Sequence, residues 1–300
     1  MEGFQLALEK SQFTPNVLEL IADRQCHTGE NPLWHPEEQC LYWCDIPRGR
    51  IFRYDPATNS HEIVFEGPPI GGFTIQHDGA LLLFMARGAI ARWHDNKLTT
   101  VVESIPGEID SRFNDVIADP AGRVFCGTMS APSHQGRLYR LDTDGKLTVL
   151  LEGIGCSNGM AFSLDEKKMY YVDSFAREIY VFEYEEDSGS IANRQVFVKA
   201  SENDGLPDGI TIDADGFLWS AMWGGSCLIR YDAQGKEDRR ISFPTKKVSS
   251  LTFGGDSYSD IYATTASEDE RTEDDPSAGA LFRLRAGVQG VAEFRSKITF

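Results

Sequence analysis

No run in this chain of 300 residues approaches the ~18 uninterrupted apolar residues of a membrane-spanning helix, so a helical membrane protein is not indicated. Six cysteines (Cys26, Cys40, Cys44, Cys126, Cys156 and Cys227) are scattered without a C-x-x-C pair, and there is no Asn-x-Ser/Thr sequon. Cys40 and Cys44 share strand parity and are expected to sit reduced on one face. Residues Met1 to Lys10 lack a basic start followed by an apolar run, so no secretory signal is expected. Basic residues are scarce: 29 Lys and Arg against 46 Asp and Glu leave a net charge of −17. That balance disfavours nucleic acid and anionic membranes as partners. The six histidines (His27, His35, His61, His77, His94 and His134) form no H-x-H or H-E-x-x-H pattern, and only His27 and His134 fall where a channel mouth is expected. A soluble, cytoplasmic protein follows as the expectation, a monomer or weak homodimer.

Helix signal is equally sparse, and what replaces it is a repeat. In Leu206-Pro207-Asp208-Gly209-Ile210-Thr211-Ile212-Asp213, apolar residues follow Asp208 at +2 and +4, and Asp215-Gly216 falls at +7 and +8. The same frame fits Glu30, Gly71, Asn114, Asn158 and Ser249, at successive spacings of 41, 43, 44, 50 and 41 residues. Each period reads as four short strands. In the first, Cys40 to Asp45 is apolar, Arg50 to Asp55 alternates, Pro56 to Asn59 is a turn, and Glu62 to Phe65 closes the unit.

Roughly 40–50 residues and four strands per repeat describe a β-propeller blade, and six repeats make six blades. The predicted fold is therefore all-β, one six-bladed propeller domain over residues 1–300 with an N-terminal arm at 1–14. A propeller must join its last blade to its first or leave an exposed edge. The stretch Leu18–Ile21 is expected to supply the outer strand of the last blade, whose own strands are expected to end near Val291–Phe294. The fourth period carries a longer outer hairpin, Glu183 to Asn193. The sixth carries an acidic insertion, Ser267 to Pro276, which reads as a solvated loop.

The first strand of each blade lines the central channel, so the equivalent positions Glu30, Gly71, Asn114, Asn158, Asp208 and Ser249 form a ring. Taken singly, Asn158-Gly159 and Asp208-Gly209 read as turns. The repeat already has its hairpin turn at +7 and +8, however, so a turn at the zero position is superfluous. Four carboxylate or amide side chains at one repeat position, two of them carboxylates, describe a hard-cation site. Without a cation Glu30 and Asp208 would repel, and one pKa should rise. Rival motifs are weaker. Gly155-Cys156-Ser157-Asn158-Gly159 matches a nucleophile elbow, but a strand follows it where a helix is needed. Asp142-Thr143-Asp144-Gly145 lacks the full ligand set of a calcium loop and reads as a turn. Trp34, Trp43, Trp219 and Trp223 are expected in the core.

The chain resembles the SMP-30/gluconolactonase/luciferin-regenerating-enzyme family through Gly29-Glu30-Asn31-Pro32-Leu33-Trp34, Arg112-Phe113-Asn114-Asp115, Asp119-Pro120-Ala121-Gly122-Arg123 with Gly127-Thr128-Met129, Ser157-Asn158-Gly159 and Pro207-Asp208-Gly209. Tyr170 to Ser174 and Gly279 to Arg283 add to it, in the right order over nearly the whole chain. The resemblance implies one divalent cation on the propeller axis, held by Glu30, Asn158 and Asp208, with Asn114 close by. It implies that Arg112 and Asn114 bind substrate, that Asp208 transfers the proton, and that the reaction is hydrolysis of a sugar lactone. Calcium, zinc, manganese and magnesium all suit such oxygen donors. One departure stands out: where aldonolactone-hydrolysing members can carry a substrate-contacting glutamate three residues after Gly-Thr-Met, this chain has Pro132. Two other functions share the site: a calcium-dependent ligand-binding propeller without turnover, and an arylesterase- or phosphotriesterase-like hydrolase.

Overall fold

The computed structural model describes residues 17–299, so the arm expected at 1–14 lies outside the described residues. Six four-stranded antiparallel sheets are formed, five in simple up-and-down order and the last completed by the first strand of the chain. Their innermost strands are Gly29–His35, Ile70–Ile75, Phe113–Ala118, Ser157–Phe162, Leu206–Ile212 and Val248–Gly254. Each of these touches the innermost strands of both neighbouring sheets, and the sixth returns to the first. This is the six-bladed propeller the spacing predicts. Only two single-turn 3-10 helices, Pro106–Glu108 and Glu202–Asp204, interrupt the strands among the described residues.

Closure is also as expected. Glu19–Ala22 adds to the outer edge of blade 6, with Glu19 opposite Arg283 and Leu20 opposite Phe282. The Arg283 guanidinium grips the Glu19 carboxylate at 2.6 Å, tying the first strand to the last blade. Six apolar clusters fill the six blade junctions. At the closing junction Trp34 stacks on Tyr262, with ring centroids 5.8 Å apart. All six cysteines are buried and free, Cys40 and Cys44 in one cluster between blades 1 and 2.

The end of the chain departs from expectation. Blade 6 finishes at Leu281–Leu284, and Val291–Phe294 is not a strand. Residues beyond Ala286 turn away, Gly287 taking φ +74°, and run as a strap across one end of the channel. The strap bonds to four blades: Tyr258 O accepts from Gly290 N, Gln289 O from Ala214 N, Ser296 O from His77 N, and Gly122 O from Lys297 N. These bonds anchor the strap without a sheet ladder.

Candidate active site and cation centre

Every innermost strand is irregular at or beside its zero position. Pairing with the second strand slips between Glu30 and Leu33, Ile70 and Gly72, Phe113 and Val116, Ser157 and Met160, Pro207 and Ile210, and Val248 and Ser250. A bulge inserts an unpaired residue and re-aims its side chain. Here it does so once per blade, at the level where the ring of polar residues was expected. The glycines after Asn158 and Asp208 serve this crowding and not a turn. A Cβ on Gly159 would lie 2.5 Å from Asp208 O, and one on Gly209 would lie 2.1 Å from Ser250 Oγ.

The ring lines one end of the axis, at a cavity of about 320 Å³ that contains Glu30, Arg112, Asn114, Asn158 and Asp208. All five predicted site residues therefore converge. Ser249 does not join them: its hydroxyl turns into the blade, toward Gly29 O and Thr264 Oγ1. Gly71 has no side chain to offer, and its Cβ position is filled by Phe113 O at 1.9 Å.

Each polar group has a defined orientation. The Asn158 amide nitrogen donates to Ser174 Oγ at 3.0 Å, and that hydroxyl donates to Pro207 O at 2.7 Å. Asn158 Oδ1 is thereby set as an acceptor. Glu30 Oε2 accepts from the Asn31 N–H at 2.9 Å. Arg112 donates to Phe113 O at 2.9 Å and to Asn114 Oδ1 at 2.6 Å, while Asn114 Nδ2 donates to Ser157 O at 2.8 Å.

Two acceptors are left over. Asn158 Oδ1 and Asp208 Oδ1 are both buried and have no hydrogen-bond partner. Burial, helped by the charge of Asp115, pushes the Glu30 carboxyl up to about 8. The Asp208 carboxyl rises well above the usual range through burial first, then the charges of Glu30 and Asp115. Desolvation, not mutual repulsion, is the main cause, and both groups rise where sequence reasoning expected one. Orphaned buried acceptors beside two destabilised carboxylates are the signature of a missing positive charge. Among the described residues no three His, Cys, Asp or Glu converge on a metal position. The donor set mixes two carboxylates with an amide oxygen, which fits a hard divalent cation.

Sequence reasoning missed Asp115. Its carboxyl is buried, pushed up to about 6 by desolvation, and satisfied on one oxygen by the Val116 N–H at 2.7 Å. It lines a smaller cavity further along the channel with Glu293 of the strap. The Asn114-Asp115 pair was visible, but strand alternation gave no reason to place both side chains in the channel. The bulge supplies one. Of the tryptophans, Trp34, Trp43 and Trp219 are buried in the core, whereas Trp223 lines the cavity. His27 also lines it; His134 instead faces Glu108 at 3.7 Å and Asp110 at 3.6 Å. Ser157 is fully buried within a strand and accepts from Tyr171 Oη at 2.8 Å, so it is no nucleophile.

Known proteins resemble the chain over nearly its full length. Residues 28–267 match the model of the SMP-30/Gluconolactonase/LRE-like region. Pentonolactonase XacC of Haloferax volcanii is 46% identical, over 93% of this chain and 97% of that protein. Regucalcin of Homo sapiens is 32% identical, over 92% of this chain and 97% of that protein. The solved structure of a luciferin-regenerating enzyme superposes with a TM-score of 0.87 at 29% identity, covering 94% of this chain and 99% of that one.

Proposed function

The chain belongs to the SMP-30/gluconolactonase/LRE-like family, and on that premise we propose that it is a metal-dependent hydrolase that opens sugar-derived lactones. The observation that carries this reading is the pair of orphaned buried acceptors, Asn158 Oδ1 and Asp208 Oδ1, beside Glu30 in the cavity. The pentonolactonase relative gives the substrate class.

Glu30, Asn158 and Asp208 would hold a divalent cation. When bound, that ion supplies Lewis acidity toward an ester carbonyl and acidifies water. The chain's residues do the rest. Asp208 accepts the proton of the attacking water and returns one to the ring oxygen as the carbon–oxygen bond breaks, yielding the open hydroxy acid. Asn114, its amide fixed between Arg112 and Ser157 O, offers a rigid polar edge to the substrate. The Arg112 guanidinium orients ring hydroxyls. The Ile46, Pro47 and Leu206 side chains line the cavity with apolar surface.

Acid release from sugar lactones, simple aliphatic lactones, aryl esters and phosphate esters, with and without chelator, tests this reading. Chelator-sensitive turnover confined to the lactones is the expected result. Turnover of aryl or phosphate esters alone would favour the esterase reading, and bound metal without any turnover a binding propeller.

A further inference from the structure

Arg112 is assigned to ring hydroxyls, while the other polar groups beside it in the cavity face the ion, the reacting ester or each other. A hydroxylated substrate also presents oxygens away from the ester, and something must read them. The blade 3 wall around Pro132 offers no acceptor to the cavity. Ser133 and His134 of the loop around Pro132 bond away from the cavity, Ser133 Oγ donating to Asp110 at 3.0 Å and His134 facing Glu108 and Asp110. Only Met129 from its base reaches the cavity. Further lining comes from His27, Thr28, Phe175, which is 60% exposed, and Trp223. Apart from Glu30 and Asp208, Glu268 is the one carboxylate among the described residues that lines the cavity.

Glu268 comes from the acidic insertion of blade 6, otherwise a solvated loop, and it is held in place from several sides. Its N–H donates to His27 O at 2.9 Å, and its carboxylate pairs with the Lys247 ammonium, which lies 5.8 Å from the Trp223 ring centroid. Glu268 and Asp269 take φ +48° and +60°, two consecutive non-glycine residues in the left-handed region. Such backbone persists only where surroundings over-determine it. Here Ser267 Oγ bonds Cys26 O at 2.8 Å and accepts from Asp269 N at 3.2 Å, while the Asp269 carboxylate pairs with Arg48. The insertion is thereby clamped to blade 1 with Glu268 at the cavity mouth.

We propose that Glu268 is a specificity-determining residue, the hydroxyl acceptor that selects polyhydroxylated lactones over unsubstituted ones. It acts from blade 6, across the cavity from the wall that Pro132 leaves without an acceptor. The proposal rests on the lactonase reading for its substrate, and the Lys247 pair orients the carboxylate while one oxygen accepts from substrate.

The test compares the metal-loaded wild type with Glu268→Gln and Glu268→Ala on a five-membered lactone bearing ring hydroxyls and on the unsubstituted lactone of the same ring. Binding of the matching hydroxylated cyclic ether, which cannot be hydrolysed, is measured by calorimetry. Glu268→Ala should raise KM for the hydroxylated lactone roughly tenfold, as losing one charge-assisted hydrogen bond at a wet site does. Its kcat and its kinetics on the unsubstituted lactone should stay within about twofold, and Glu268→Gln should fall between. Binding of the cyclic ether should weaken in parallel. Equal losses on both lactones, or none on the hydroxylated one, overturn the role of Glu268 while leaving the lactonase reading intact. A wild type that binds the ether in a Glu268-dependent way but hydrolyses neither lactone overturns the lactonase reading alone. Absence of both binding and turnover overturns both.

Discussion

Ser174 stands between Asn158 and Pro207, accepting from the Asn158 amide at 3.0 Å and donating to Pro207 O at 2.7 Å. One hydroxyl thus fixes which end of the Asn158 amide faces the axis, and it ties that amide to the strand carrying Asp208. Outer groups of this kind set the affinity of a metal site as much as the ligands do. Ser174→Ala should leave the protein folded and weaken divalent-ion binding by about 10-fold. An unchanged dissociation constant in calorimetry would show that the orientation of Asn158 does not depend on Ser174.

Arg112→Ala should lower kcat/KM for hydroxylated lactones by about 10–100-fold, the loss of one charged hydrogen-bonding partner. On unsubstituted lactones the effect should be much smaller, because they offer no hydroxyls to hold. Equal losses on both would place Arg112 at the reacting carbonyl instead.

Gly159 is required by the close approach of two innermost strands, its Cβ position lying 2.5 Å from both Asp208 O and Ile210 N. Gly159→Ala must push blades 4 and 5 apart at the candidate cation site. A loss of about 1–3 kcal/mol, typical of overpacking, should appear in denaturant unfolding together with weakened metal binding. Stability and affinity both unchanged would mean that the inner ring tolerates expansion.

Glu293 reaches from the strap into the channel, where Thr211 donates to it at 3.1 Å and burial raises its carboxyl to about 7. A raised acid costs stability as pH rises from the ordinary carboxyl value near ~4.3 through about 7, because only the unfolded chain ionises freely there. Above that window the penalty is constant. Glu293→Gln should therefore leave stability unchanged near pH 4 and raise the unfolding temperature at pH 8, by about 2 °C or more. A variant less stable than wild type at pH 8 would contradict the assigned burial.

The repeat spacing made the architecture legible because a blade must be renewed every forty-odd residues, and Glu19–Ala22 had no other edge to close. Glu30, Asn114, Asn158 and Asp208 were legible as a set only through that register. What stayed hidden depends on departures from regular pairing. The bulges bring Asp115 into the channel beside Asn114 and turn Ser249 away from it, and alternation alone cannot anticipate either. The strap was misread because Val291–Phe294 has strand composition, yet it pairs with no blade. Glu268 was lost in an acidic run whose composition says only that it is solvated, whereas its position follows from long-range anchors at His27 and Lys247.

Divalent-ion titration of metal-stripped wild type against Glu30→Gln/Asp208→Asn addresses the centre of the account, that the axial residues form a cation site. Wild type should take up one ion per chain and the double variant none, with no change in fold by circular dichroism. Undiminished stoichiometric binding by the double variant would contradict the assignment of Glu30 and Asp208, and with it the chemistry built on them.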